Sequence, residues 1–132
     1  MTGGEKVLIV DDEDDIRELA RISLERVGGL EVVVASSGEE GIAMATAEQP
    51  DAVLLDAMMP GIDGPQTLER LKANAATAQI PVVFLTGSVQ EFERDRFTAL
   101  GAVAILPKPF DPMTLAKDLR ACLGWPDSGS PD

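Results

Sequence analysis

Histidine is missing from all 132 residues, and no other absence excludes so much chemistry. Triads built on a histidine base, histidine-ligated zinc and any phosphohistidine relay through this chain's own side chains are ruled out. A phosphohistidine acting with this chain has to sit on a partner. Cysteine is nearly missing: Cys122 stands alone, so no internal disulfide forms, and its helical spacing with Leu115 and Leu119 suits a core position rather than reactivity. No apolar run approaches the roughly 20 residues that span a bilayer. The N-terminus Met1-Thr2-Gly3-Gly4-Glu5-Lys6 has no apolar segment after a basic start, so a cytoplasmic protein is expected. Positive charge is scarce, with 11 Lys and Arg against 23 Asp and Glu and a net charge of −12. Without a basic cluster, that field repels nucleic acid and anionic lipid, and neither is expected as a direct partner. There is no G-x-x-x-x-G-K-[ST] loop and no glycine-rich turn after the first apolar run, which removes the usual cradle for a nucleotide or flavin phosphate.

What is present reads as an ordinary folded chain. Hydrophobic residues make up 45% and charged residues 26%, and the length suits one domain able to bury its own core. Short, β-branched apolar runs occupy residues 7–10, 32–35, 52–55, 82–85 and 102–106, and their near-continuous apolarity suits strands buried on both faces. Segments of helical period alternate with them. Ile16, Leu19, Ala20, Ser23, Leu24 and Val27 form a stripe that Gly28-Gly29 ends, and Ser36 or Ser37 caps the next helix with Glu39 or Glu40 as its capping-box partner. A third helix is expected over about 65–74 with Leu68 and Leu71 inward. A fourth spans about 90–100 with Phe92, Phe97 and Leu100, and a last runs from Asp111-Pro112 to Leu123. Five β-α units predict an α/β fold, a doubly wound, five-stranded parallel sheet with five helices, and of the orders open to it the flavodoxin-like 2-1-3-4-5 is the one expected. The domain is placed at residues 5–123, and 124–132, with its Trp-Pro, Gly-Ser and Pro-Asp steps, as a flexible C-terminal tail or linker stub.

In such a sheet ligands bind beyond the carboxyl ends of the strands. The informative residues fall there: Asp11-Asp12 after strand 1, Asp56 ending strand 3, Thr86 ending strand 4 and Lys108 after strand 5. Taken singly, each has a plain reading. Asp11-Asp12 opens an acidic first helical turn with Glu13, Asp14 and Asp15, Lys108 is a surface lysine, and Thr86 is a strand-end threonine. Asp56 is harder to dismiss, because it ends an apolar run where an unpaired charge is costly. Three converging carboxylates repel one another unless a cation joins them, and hard oxygen ligands suit Mg²⁺, with Asp11, Asp12 and Asp56 as side-chain ligands. Lys108 lies between Pro107 and Pro109, so its backbone is stiff and its ammonium can be aimed; the X-Pro bond there is a candidate for cis.

Together, Asp11-Asp12, Asp56-Ala57-Met58-Met59-Pro60-Gly61-Ile62-Asp63-Gly64, Thr86-Gly87 and Lys108-Pro109-Phe110 closely resemble the receiver domain of two-component response regulators, over about residues 5–123. The resemblance implies that Asp56 is the phosphoacceptor, taking a phosphoryl group from a phosphohistidine on a sensor histidine kinase or histidine phosphotransfer protein. It implies a Mg²⁺ site made by Asp11, Asp12, Asp56 and the Met58 backbone carbonyl. Lys108 pairs with the phosphoryl oxygens and the Thr86 hydroxyl swings in to bond one of them. The expected outcome is a conformational switch that controls an unidentified downstream protein, with no enzymatic turnover beyond its own phosphorylation and dephosphorylation.

Several positions depart from or qualify the resemblance. Many receivers carry an aromatic residue three places before the lysine, where this chain has Ile105, so the usual aromatic rotamer switch has no counterpart. The acidic pair common near Gly101 to Ile105 in receivers with winged-helix DNA-binding outputs is absent, which leans away from that class. Met58 and Ser88 occupy positions that help set acyl-phosphate lifetime in the family. Phe92 and Phe97 lie either in the core or on a partner surface. The alternative function is a receiver-like binding module that signals without phosphorylation. An aspartyl-nucleophile phosphohydrolase fits less well, since the second acid it needs two residues after the first is Met58 here.

Overall fold

The computed structural model describes residues 5–87 and 91–126, without the side chains of residues 91 and 92. The apolar runs form β1 (Lys6–Val10), β2 (Glu31–Ala35), β3 (Ala52–Asp56), β4 (Val82–Thr86) and β5 (Ala104–Pro107). They join in one parallel sheet of order β2-β1-β3-β4-β5, as the alternation of patterns predicts. Among the described residues five α-helices connect and flank it: α1 (Asp14–Ile22), α2 (Gly38–Glu48), α3 (Gly64–Ala73), α4 (Glu91–Leu100) and α5 (Leu115–Leu123).

Alternation along the strands divides the core into two layers. Val7, Ile9, Leu54, Val83 and Leu85 pack with Ala20 of α1, with Leu24 just after it, and with Leu115, Ala116 and Leu119 of α5. Leu8, Val10, Val53, Leu55 and Phe84 face the other way, toward Ala45 of α2, Leu68 and Leu71 of α3, and Phe97 of α4. The inner strands β3 and β4 are buried along their whole length, while the edge strands β2 and β5 are only partly covered. Phe97 belongs to the core, its ring centroid 4.6 Å from that of Phe84. Phe92 and Ser88 lie outside the described side chains.

Local signals set the boundaries. Ser37 caps α2, accepting the Glu40 amide, while the Glu40 carboxylate accepts the amide and hydroxyl of Ser36, so both candidate serines are used. Asp63 and Gln66 form a reciprocal capping box at α3. Three expectations need correction. Leu19 and Val27 are 41% and 45% exposed. Regular α1 ends at Ile22, and the following π-helical turn, Ser23–Val27, winds more residues per turn, which carries Val27 off the stripe that Ala20, Ser23 and Leu24 maintain. The strand expected over 102–106 runs from Ala104 to Pro107, although Ala102 is buried. The last helix is regular only from Leu115, because Asp111 first folds a turn through its side chain to the Met113 amide and its carbonyl to Leu115 N, while the Pro112 carbonyl accepts the Ser23 hydroxyl.

Arg120, buried in α5, donates to the carbonyls of Gly28 and Pro126 and pairs with Glu5. Trp125 packs against the α1/α5 layer. Trp125 N bonds the Arg120 carbonyl, and 127–132 lie outside the described residues. Among the described residues no helix is long and apolar enough to cross a membrane.

Candidate functional site

Parallel pairing brings the informative residues to one edge of the sheet. The ladder continues past the strand ends, with Asp11 N bonded to Ala35 O, Ala57 N to Leu85 O and Lys108 N to Thr86 O. Asp56 is in register with Leu85, and Thr86 with Pro107. Gly64 seats the loop after β3 on this edge: a Cβ there would lie 2.6 Å from Ala57 Cα and 2.7 Å from the Asp56 carbonyl oxygen, contacts that only glycine avoids. The Lys108-Pro109 peptide bond is cis.

At this edge one carboxylate oxygen from each of Asp11, Asp12 and Asp56 lies within 4.8 Å of the others. Asp11 and Asp56 are buried, at 1% and 3% exposure. Their carboxylates are oriented alike. The Glu13 amide donates to Asp11 Oδ1 (2.9 Å) and the Met58 amide to Asp56 Oδ1 (3.0 Å), which leaves the Oδ2 atoms facing the Lys108 ammonium at 3.1 and 3.5 Å. Asp11 Oδ2 is buried and, apart from that ion pair, meets no hydrogen-bond partner among the described residues. A buried carboxylate oxygen so placed, beside two further carboxylates, fits a hard divalent cation.

The cluster perturbs its own proton affinities. Burial pushes the Asp56 carboxyl up from 3.8 to about 6; the Asp11 charge and the Asp12 side chain push the same way, while the Met58 amide and Lys108 pull it down. Burial pulls the Lys108 ammonium down, but the carboxylates of Asp11, Asp56 and Glu13 outweigh it and leave the group above its ordinary value. Lysine therefore stays charged against the acids.

The family model of the response regulator receiver domain matches residues 7–120. The chain belongs to this family. The receiver is 37% identical over 131 residues to the phosphate regulon transcriptional regulatory protein PhoB of Pseudomonas aeruginosa, covering 97% of this chain and 57% of that protein. It is 38% identical over 118 residues to protein PilH of the same organism, covering 89% of this chain and 97% of PilH. Its fold superimposes on the chemotaxis protein CheY4 of Vibrio cholerae with a TM-score of 0.85 and 31% identity, covering 91% of this chain and 99% of that one. The receiver spans about half the length of several curated relatives, transcriptional regulators among them. By identity it stands as near to such a regulator as to PilH. Receivers work in phosphorylation-based two-component signalling, typically as switch domains rather than as enzymes.

Asp11, Asp12, Asp56 and Lys108 meet at this edge, and Thr86 ends the neighbouring strand beside them. Met58 contributes its backbone, while its side chain is 75% exposed. Ile105 is partly buried against the α2–α4 layer. One further participant carries no signal of its own in the sequence: Glu13, whose carboxylate accepts a hydrogen bond from Lys108 Nζ at 3.3 Å. It is one of five consecutive acids, and nothing in that run marks which one turns toward strand 5.

Proposed function

We propose that Asp56 accepts a phosphoryl group from a phosphohistidine on a sensor histidine kinase or histidine phosphotransfer protein, in a Mg²⁺-dependent reaction in the cytoplasm. The resulting switch controls a protein partner. The observation that carries this reading is the setting of Asp56: a buried carboxylate fixed by the Met58 amide at one oxygen, with the other facing Lys108 beside two more acids.

The chemistry follows from that setting. Asp56 Oδ2 forms the new bond to phosphorus as the P–N bond of the donor breaks, and its electron pair returns to the imidazole of the partner. The backbone hydrogen bond holds the carboxylate in one orientation, so the attacking oxygen is presented rather than searched for. Lys108 meets the negative charge spread over the transferring oxygens. Thr86, at the end of the neighbouring strand, hydrogen-bonds a phosphoryl oxygen once it is in place. Asp11, Asp12, Asp56 and the Met58 carbonyl would hold Mg²⁺, which supplies charge neutralisation for the transferred group. After transfer, Lys108 and Thr86 gain interactions absent before, and that differential biases the fold toward its signalling state. A binding module without this chemistry has no use for a Lys108 ringed by acids, which disfavours the alternative.

Incubation with acetyl phosphate and Mg²⁺, followed by intact mass measurement, tests the proposal. A single phosphoryl adduct that chelation of the metal abolishes, and that Asp56→Asn lacks, is expected. No adduct from acetyl phosphate or from a panel of phosphorylated histidine kinases would instead support the binding module.

A further inference from the structure

Lys108 faces three carboxylates, and one of them, Glu13, is not a member of the metal cluster. Glu13 Oε1 takes the ammonium hydrogen at 3.3 Å, while Asp11 and Asp56 engage it at ion-pair distance. The Glu13 side chain does not serve the helix it precedes. Although Glu13 is the N-cap residue of α1, it makes no side-chain cap, and its carboxylate is 62% exposed, reaching over the pocket from outside.

We infer that Glu13 is a positioning residue that tethers Lys108 at the mouth of the pocket in the resting state and thereby slows phosphorylation of Asp56. This rests on the phosphoacceptor reading above. The ammonium already faces Asp56 at 3.5 Å, and to close on charge developing on the transferring group it has to give up Glu13. An interaction made before transfer and lost during it raises the barrier. The tether is tunable because Glu13 is exposed and its contact with Lys108 is weak, unlike the buried contacts of Asp11. Sequence change at this one position adjusts the rate of modification without touching the metal ligands or the acceptor.

The test is the rate of adduct formation from acetyl phosphate at saturating Mg²⁺ in the unaltered protein, Glu13→Ala and Glu13→Asp. Alanine removes tether and charge together. Aspartate keeps the charge but is one methylene too short to hold Lys108 and caps α1 instead. Both variants should be faster by about threefold to fivefold, the size of an exposed ion pair, with the Mg²⁺ dependence unchanged. Acceleration by alanine alone would show that the effect is repulsion of the anionic donor, and the tether would be wrong. Equal or slower rates in both variants would overturn it as well. Failure of all three proteins to form an adduct would instead remove the phosphoacceptor reading, and this inference with it.

Discussion

Replacing the proposed acceptor should stabilise the fold, and only above acidic pH. Asp56 titrates near 6 in the folded chain against an ordinary 3.8, chiefly because burial penalises its charge. Between those values the folded protein binds the proton more tightly than the unfolded chain, so stability falls as pH rises. The full cost is present above pH 6 and amounts to about 3 kcal/mol without a bound metal; near pH 4 it shrinks to under about 1 kcal/mol. Asp56→Asn removes the charge while keeping an oxygen for the Met58 amide, and Lys108 retains Asp11 and Glu13. Urea unfolding in metal-free buffer should therefore show the variant more stable by about 2–3 kcal/mol at pH 7.5, with the margin nearly gone at pH 4. An asparagine variant no more stable than the unaltered protein at pH 7.5, or a margin unaffected by pH, would refute this account of the pocket.

Other predictions follow from single contacts. Gly64→Ala drives a Cβ against the backbone of Asp56 and Ala57 and should lose about 1–3 kcal/mol in urea unfolding while weakening divalent binding measured by calorimetry. Asp63→Ala removes the capping box of α3 and should lose about 1 kcal/mol, read in the same way. Met58→Asn or Met58→Glu changes the exposed side chain beside the acceptor and should alter the decay rate of the phosphorylated form; an unchanged half-life would show that Met58 contributes through its backbone alone.

Much of this architecture is legible in the sequence because burial writes itself into composition. The runs at 7–10, 52–55 and 82–85 have no polar residue and suit strands covered on both faces, and these three are the inner strands of the sheet. Asp56 is conspicuous for the same reason, being a charge at the end of such a run. Features set by geometry between distant segments are not legible. The π-helical turn at Ser23–Val27 leaves no periodic signature yet keeps Leu24 in the core and turns Val27 out. The Ser23 hydroxyl that meets the Pro112 carbonyl in the turn after Asp111 is 89 residues away in the chain. Glu13 is hidden among acids, and only its proximity to Lys108, 95 residues on, distinguishes it.

The most direct test of the central claim is to phosphorylate the protein with acetyl phosphate and Mg²⁺, reduce it with borohydride, and map the product by peptide mass spectrometry. The account predicts conversion of residue 56 alone to homoserine, the product of reducing an aspartyl phosphate. Reduction at another carboxylate, with Asp56 untouched, would contradict it.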